Sequence, residues 1–117
     1  QFETDIDQFR QNIWDLEEIA KKYTNDVAFI GLTPVDEART DPLFWETDAT
    51  YKNEYIEQYD SVIKEFCESR KIPFIDIFNQ MKDLEVAKLL EDGIHSNREG
   101  YKVMEEIIRT AVFESRE

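Results

Sequence analysis

The chain has 117 residues, of which 41% are hydrophobic and 13% aromatic, and its net charge is −13. This length allows one domain or part of one, and the hydrophobic content argues against a disordered chain. The acidic charge argues against nucleic acid and anionic membranes as partners, since both would repel it. No apolar run is long enough to cross a bilayer, so we expect no membrane span. No signal peptide is visible at Gln1, and we expect a cytoplasmic protein.

The first half of the chain predicts a helix, a buried strand and a long loop. Thr4 and Asp7 resemble a capping box at the start of the helix. Apolar residues then recur at three- and four-residue steps and predict one buried stripe: Ile6, Phe9, Ile13, Leu16, Ala20 and Tyr23. Residues 27–32 are apolar without polar alternation, which is typical of a strand buried on both faces. The loop is predicted from residue 33 to about residue 50.

The second half predicts two long helices and a second strand. An amphipathic helix ends near residue 70, and a strand follows at residues 73–78, with a proline first, where a missing donor matters least. A short helix is predicted at residues 84–90. Ser96 and Glu99 form a capping signal for the final helix. Its predicted apolar face is Tyr101, Met104, Ile108 and Ala111.

Two buried strands joined by a helix predict a right-handed βαβ unit in a parallel sheet. Ligand-binding groups in such sheets lie beyond the carboxyl ends of the strands, so the loops after the two strands should share one rim. Two strands make a poor sheet, and the first helix needs a sheet to cover its apolar stripe. We therefore expect at least one further strand before Gln1 in the parent protein.

The single histidine, His95, lies three residues after Asp92 in a loop that contains Gly93. This spacing can bring the carboxylate to one imidazole nitrogen and leave the other nitrogen free for a substrate. That is the acid–base half of a Ser-His-Asp hydrolase. The alternative is a surface salt bridge without a catalytic role.

Residues 92–101, with the sequence DGIHSNREGY, resemble the C-terminal motif of the SGNH, or GDSL-type, hydrolases. That motif has a D-x-x-H core and commonly continues with Pro-Asn and a Gly-Tyr pair that opens the last helix. Here Ser96 stands where proline is usual. The two predicted strands resemble the last two strands of the same fold. The likeness spans essentially the whole chain but only about the C-terminal half of the family's domain.

The resemblance implies a three-layer α/β/α sandwich of the flavodoxin-like SGNH type, with residues 1–117 as its C-terminal portion. It implies a serine ester hydrolase that needs no metal or cofactor, in which His95 is the general base and Asp92 orients it. The family's Gly-Asp-Ser motif is absent, and each serine of this chain lies in or at the start of a predicted helix: Ser61, Ser69, Ser96 and Ser115. We therefore expect the isolated chain to be inactive. The expected partners are a small ester substrate and either the missing N-terminal half or a second copy at the open sheet edge.

Other residues have both a functional and a structural interpretation. Candidate substrate contacts are Val35, Leu43, Phe44 and Trp45, although the last three can equally seal the core beneath the long loop. Asp76 is expected to cap a nearby loop, and Cys67 to be a small core residue. The acidic residues between 36 and 48 lack calcium-loop spacing and favour a solvated face. The rival interpretation of the whole chain is a non-catalytic acidic α/β module that binds a partner through its exposed strand edge.

Overall fold

The computed structural model describes residues 5–41 and 51–115, in which helices alternate with two short strands. The strands are β1 (Phe29–Ile30) and β2 (Phe74–Ile75). The helices are α1 (Ile6–Lys21), α2 (Glu37–Thr40), α3 (Asn53–Arg70), α4 (Phe78–Met81) and α5 (Arg98–Ser115). No helix in these two ranges is long and apolar enough to span a bilayer.

Strands β1 and β2 pair in parallel, with Phe29 opposite Phe74 and Ile30 opposite Ile75. The pairing confirms the predicted βαβ unit. Each strand has two residues and is therefore shorter than the runs predicted at residues 27–32 and 73–78. The second strand ends early because the Asp76 carboxylate accepts a hydrogen bond from the Asn79 amide at 3.0 Å, which turns the chain into α4. Asp76 therefore has the predicted capping role.

The sheet separates two apolar clusters. On one side, Phe29 and Phe74 pack against a buried group from α1 and α3: Ile13, Ile63, Phe66 and Cys67. On the other side, Ile75 belongs to a cluster completed by α4 and α5, whose members include Ile77, Met81, Met104, Ile108 and Ala111. Successive strand residues point to opposite faces of a sheet, so β2 serves both clusters. Helices thus lie on both faces of the parallel sheet, as predicted.

The N-caps of α1 and α5 differ from the sequence prediction. Asp5 caps α1 by accepting a hydrogen bond from the Gln8 amide at 2.8 Å. Asn97 caps α5 by accepting from the Gly100 amide at 2.9 Å. Aspartate and asparagine are among the strongest N-caps, and each stands one residue after the hydroxyl residue that was predicted. Tyr101 is also exposed and does not join the apolar face of α5.

The predicted short helix at residues 84–90 is reduced to a 3-10 turn, Val86–Lys88. The carbonyl oxygens of this segment bind groups elsewhere in the chain. Lys88 O and Leu89 O both accept from Asn97, through its side-chain and backbone nitrogens respectively. Within the segment, the Lys88 amide donates to Glu85 O and the Leu89 amide to Val86 O, each three residues earlier, which is the 3-10 pattern and not the α-helical one.

Helix α1 buries a charged residue that the apolar stripe did not indicate. Glu17 is fully buried and forms ion pairs with Arg70 at 2.6 Å and with Lys21 at 3.2 Å. Arg70 lies over the Trp14 ring at 4.4 Å. Leu16, which was predicted to be in the core, is instead 55% exposed. The ion pair fixes the rotation of α1 against α3, so the helix buries Glu17 in place of Leu16.

Asp60 on α3 holds the end of β1, and its substitution gives a stability test. The buried carboxylate accepts a hydrogen bond from the Leu32 amide at 2.7 Å, and burial raises the pKa of Asp60. Because the pKa of Asp60 is higher in the folded protein than in the unfolded chain, the protonated carboxyl stabilises the folded state at low pH. That stabilisation is lost as the pH rises through the folded-state pKa of Asp60. At pH 7, we expect Asp60→Asn to leave the full-length protein at least as stable, since a neutral amide oxygen still accepts from Leu32.

Asp60→Ala removes the acceptor and should cost about 1–3 kcal/mol in the free energy of unfolding. Urea denaturation of both variants and the unmodified protein, at pH 7 and at mildly acidic pH, measures these differences. Equal destabilisation by asparagine and alanine would contradict the role assigned to the carboxylate oxygen.

Candidate active site

Asp92 and His95 form a hydrogen-bonded pair in the loop that precedes α5. The distance between Asp92 Oδ2 and His95 Nδ1 is 2.6 Å. The His95 side chain is 67% exposed, whereas that of Asp92 is 28% exposed. The carboxylate therefore binds one ring nitrogen while much of the ring faces solvent. This is the arrangement that the sequence spacing predicted.

The second oxygen of Asp92 builds the loop. Asp92 Oδ1 accepts from the backbone amides of His95 at 2.7 Å and Ile94 at 2.9 Å. The hydrogen bond from the His95 amide, with those from the His95 ring and the Ile94 amide, lowers the pKa of Asp92 to about 2. Asp92 is therefore an anion throughout the neutral range. An anionic partner favours the imidazole tautomer with its proton on Nδ1, which leaves Nε2 free to act as a base.

Gly93 gives this loop its shape. Its φ angle is +99°, in the region that side chains other than glycine rarely adopt. A Cβ atom at this position would also lie 2.9 Å from Thr40 Cγ2. The Gly93 carbonyl accepts a hydrogen bond from the Asp36 amide at 3.0 Å. The turn that carries Asp92 and His95 is thus packed closely against the start of α2, which follows β1.

Asn97 joins the loop to α5 and was missed as a site residue by the sequence analysis. Its side-chain oxygen caps α5, and its side-chain nitrogen donates to Lys88 O at 2.8 Å. Gly100 allows this close packing, because a Cβ there would collide with Leu89 O. The available signal was the high preference of asparagine for N-cap positions. One residue, Ser96, separates His95 from this cap, so a rigid helix start supports the histidine.

The other predicted site residues have different outcomes. Val35 is buried, and its amide and carbonyl both bind the Asn53 side chain, at 2.8 and 3.0 Å. Its role as a substrate contact stays a prediction. The apolar residues Leu43, Phe44 and Trp45 lie outside the described residues.

The hydroxyls of Ser69 and Ser96 contact groups other than the histidine ring. Ser96 is buried and its hydroxyl lies 3.5 Å from Met104 Sδ. Ser69 donates to Phe66 O within α3, and Ser61 is on the exposed side of the same helix. Within residues 5–41 and 51–115, no group of three metal-binding side chains is arranged to hold an ion.

Cys67 and part of the acidic cluster have structural roles. Cys67 is buried in the core as predicted, and burial raises the pKa of its thiol to about 11. Asp36 and Glu37 are not simply a solvated face, since Asp36 pairs with Arg39 and Glu37 accepts from the Asn53 amide. These carboxylates fix the loop after β1.

Solved structures resemble the chain over nearly its full length. A GDSL-like lipase from Bacteroides thetaiotaomicron is 25% identical with a TM-score of 0.75, over 95% of this chain and 54% of that one. A candidate acylhydrolase from Bacteroides fragilis is 24% identical with a TM-score of 0.76, over 95% and 53%. An alpha/beta hydrolase enzyme from the metagenome of Lake Arreo, Spain, is 13% identical with a TM-score of 0.68, over 92% and 47%. The last two likenesses show the fold alone.

The chain spans about half the length of these solved relatives. No curated protein matches it. The family model for GDSL-like lipases and acylhydrolases matches residues 1–108, which is most of the sequence and includes Asp92 and His95. The match agrees with the parallel α/β fold and with the resemblance of residues 92–101. The chain therefore belongs to the GDSL-like lipase/acylhydrolase family.

Proposed function

We propose that the full-length protein is a serine ester hydrolase, to which this chain contributes the general base His95 and its orienting carboxylate Asp92. The observation that carries the proposal is the 2.6 Å hydrogen bond between Asp92 Oδ2 and His95 Nδ1, formed by a histidine that is otherwise exposed. A carboxylate that stays ionised and a ring with one free nitrogen are what a general base requires. Membership of a hydrolase family supports the same chemistry.

In the proposed reaction, His95 Nε2 takes the proton from a serine hydroxyl as the serine oxygen attacks the ester carbonyl. The C–O bond to the alcohol then breaks, and His95 gives its proton to the leaving alkoxide. Water attacks the resulting acyl-enzyme with His95 again as base, which releases the acid and restores the serine. Asp92 stays charged and stabilises the imidazolium formed in each half of the cycle.

The nucleophile is proposed to lie outside this chain. Ser69 and Ser96 direct their hydroxyls to other partners, and no Gly-Asp-Ser sequence is present. The chain covers 54% and 53% of two solved relatives, which supports the view that residues 1–117 are one portion of a longer domain. The remaining portion would then supply the serine and the oxyanion-hole groups.

The proposed substrate is a carboxylic ester: a short acyl ester, an acetylated sugar or a lysophospholipid. Val35 and the trio Leu43, Phe44 and Trp45 are the proposed acyl contacts, because they are apolar and follow β1 in the sequence, and ligand-binding groups in parallel sheets come after the carboxyl ends of the strands. A cytoplasmic location stays a prediction.

The isolated 117-residue chain is expected to show no enzyme-like hydrolysis of a short-chain aryl ester. Without a nucleophile, His95 can only activate water weakly, and loss of one triad member already costs several orders of magnitude. The full-length protein is expected to hydrolyse the same ester and to lose activity on treatment with a serine-directed phosphonate.

The pair of assays separates the possible outcomes. Phosphonate-sensitive turnover by the isolated chain would show that the nucleophile lies within it and would contradict the proposed division of the site. A correctly folded full-length protein with no activity on any of the three ester classes would instead favour the non-catalytic binding module.

A further inference from the structure

Arg39, on α2, reaches across to the segment that leads into Asp92. Its guanidinium donates to three backbone carbonyls: Nη1 to Glu91 O at 3.2 Å, and Nη2 to Ala87 O at 3.0 Å and Leu90 O at 3.3 Å. These carbonyls are 48 to 52 residues away in the sequence. One side chain thus binds three backbone carbonyls of the segment that leads into the Asp92–His95 pair.

The remaining guanidinium nitrogen, Nε, is bound by a carboxylate. Arg39 Nε donates to Asp36 Oδ2 at 2.8 Å. The Asp36 amide in turn donates to Gly93 O, which lies between Asp92 and His95. The Arg39 stem also packs on Gly93, where an added Cβ would lie 2.9 Å from Arg39 Cβ. Arg39 and Asp36 therefore contact the loop both before and after Asp92.

The geometry of these contacts requires arginine. Three carbonyls and a carboxylate converge on one group, so that group must donate in several fixed directions. The planar guanidinium has five N–H donors in a rigid fork, whereas the lysine ammonium is a single charged point with three donors. A lysine at position 39 would keep the positive charge but could not serve the same set of acceptors.

Helix α2 is itself anchored to the body of the fold. The Glu37 carboxylate accepts from the Asn53 amide at 2.9 Å, at the start of α3. The Asn53 side chain binds both the amide and the carbonyl of Val35. Since α3 packs against β2, the contacts of Arg39 fix the histidine loop relative to the sheet.

We propose that Arg39 is a positioning residue, which holds the Asp92–His95 pair in place through the carbonyls of residues 87, 90 and 91. Its effect on catalysis rests on the proposed ester hydrolase function, whereas its effect on the loop does not. Arg39 does not touch the reacting atoms in this proposal. It acts by keeping the loop in the geometry that lets both Asp92 oxygens accept their hydrogen bonds.

The test compares Arg39→Gln and Arg39→Lys in the full-length protein. The matched control is Arg109→Gln, which removes an arginine on α5 that pairs with Glu105 and Glu106 on its own helix. The pKa of Asp92 is followed by carboxyl NMR, and kcat and KM are measured with a short-chain aryl ester. A global structural role alone would not move the pKa of Asp92 in a folded protein.

Both Arg39 variants are expected to raise the pKa of Asp92 from about 2 towards the ordinary aspartate value, because its amide donors become displaced. They should also lower kcat by roughly tenfold to hundredfold with a much smaller change in KM, as misplacement of a catalytic group does. Arg109→Gln should change neither quantity.

Three results would overturn the proposal. One is an unchanged pKa of Asp92 in a folded Arg39→Gln protein, whatever its activity. Another is full rescue by Arg39→Lys, since charge without the fork would then suffice. The last is unfolding of both variants, seen as loss of the β1 and β2 amide signals, since the role would then be general. If the unmodified protein hydrolyses no ester, the proposed function fails, and the Asp92 titration still decides the role of Arg39.

Discussion

His95→Ala in the full-length protein is expected to abolish ester hydrolysis, with kcat lowered by roughly four orders of magnitude or more. No other imidazole is present in this chain to take over, because His95 is its single histidine. The side chain is largely exposed, so its removal should leave the fold intact. Steady-state kinetics on a short-chain aryl ester, with circular dichroism as the check on folding, measures both effects.

Asp92→Asn should reduce kcat by up to about 10⁴-fold, the size expected when a histidine is held in the wrong tautomer. The asparagine oxygen can still accept from the amides of Ile94 and His95, so the loop should remain. Its side-chain nitrogen would then face His95 Nδ1 and favour a proton on Nε2. Asp83→Asn, on an exposed position after α4, is the matched control and should be silent.

The proposed ester hydrolysis by the unmodified full-length protein is expected to become faster as the pH is raised through the mildly acidic range. Histidine side chains commonly lose their proton between about pH 5 and 8, and a general base must be neutral. Asp92, with its pKa lowered to about 2, is already ionised there and adds no second step. Near-normal turnover by a folded His95→Ala protein would remove the catalytic assignment altogether.

The isolated chain is expected to self-associate. Large apolar side chains of α1, of the turn after it and of β1 are exposed in the described structure: Leu16 at 55%, Ile19 at 53%, Tyr23 at 84% and Ile30 at 47%. Burying a fully exposed side chain of this kind is worth roughly 1.5–3 kcal/mol, so covering the exposed parts of all four is a sizeable fraction of the ~5–15 kcal/mol stability of a small domain. Each strand also has one edge that no other described strand pairs. Light scattering coupled to gel filtration should show a mass that rises with concentration.

Replacing Leu16 and Ile19 together by glutamine should lower that association. Leu84→Gln is the control, since Leu84 is similarly exposed but lies in the segment after α4. A monodisperse monomer with a sharp cooperative melt would contradict the expectation and would favour the binding-module interpretation. The predicted partners at this surface are a second copy or the remaining half of the domain.

The features that were predicted from sequence depend on short-range patterns. Two apolar runs with an amphipathic helix between them indicated that the strands containing Phe29 and Phe74 lie parallel. A spacing of three residues around Gly93 indicated the contact between Asp92 and His95. In the second case the interacting groups are close in sequence. In the first they belong to a strand, helix and strand pattern that the hydrophobic residues reveal.

The features that were missed depend on partners that sequence spacing does not reveal. The sequence does not distinguish Arg39 from other surface arginines, because the carbonyls that its guanidinium binds lie about 50 residues later in the chain. Glu17 is buried because Arg70, on another helix, reaches its carboxylate. The apolar stripe of α1 predicted Leu16 in the core, but periodicity reports which residues share a face and not how that face is turned.

The two oxygens of Asp92 bind different groups, and this separation affects the entropy of the proposed reaction. Oδ1 is fixed by two amides of its own loop, so the carboxylate cannot rotate freely about its last torsion. Oδ2 therefore points at His95 before any ester arrives. A free carboxylate and a free imidazole would lose orientational entropy when they pair. Here that entropy is lost once, when the loop folds. In the proposed hydrolysis, no part of that loss would recur in each turnover, and the barrier would be lower by that amount.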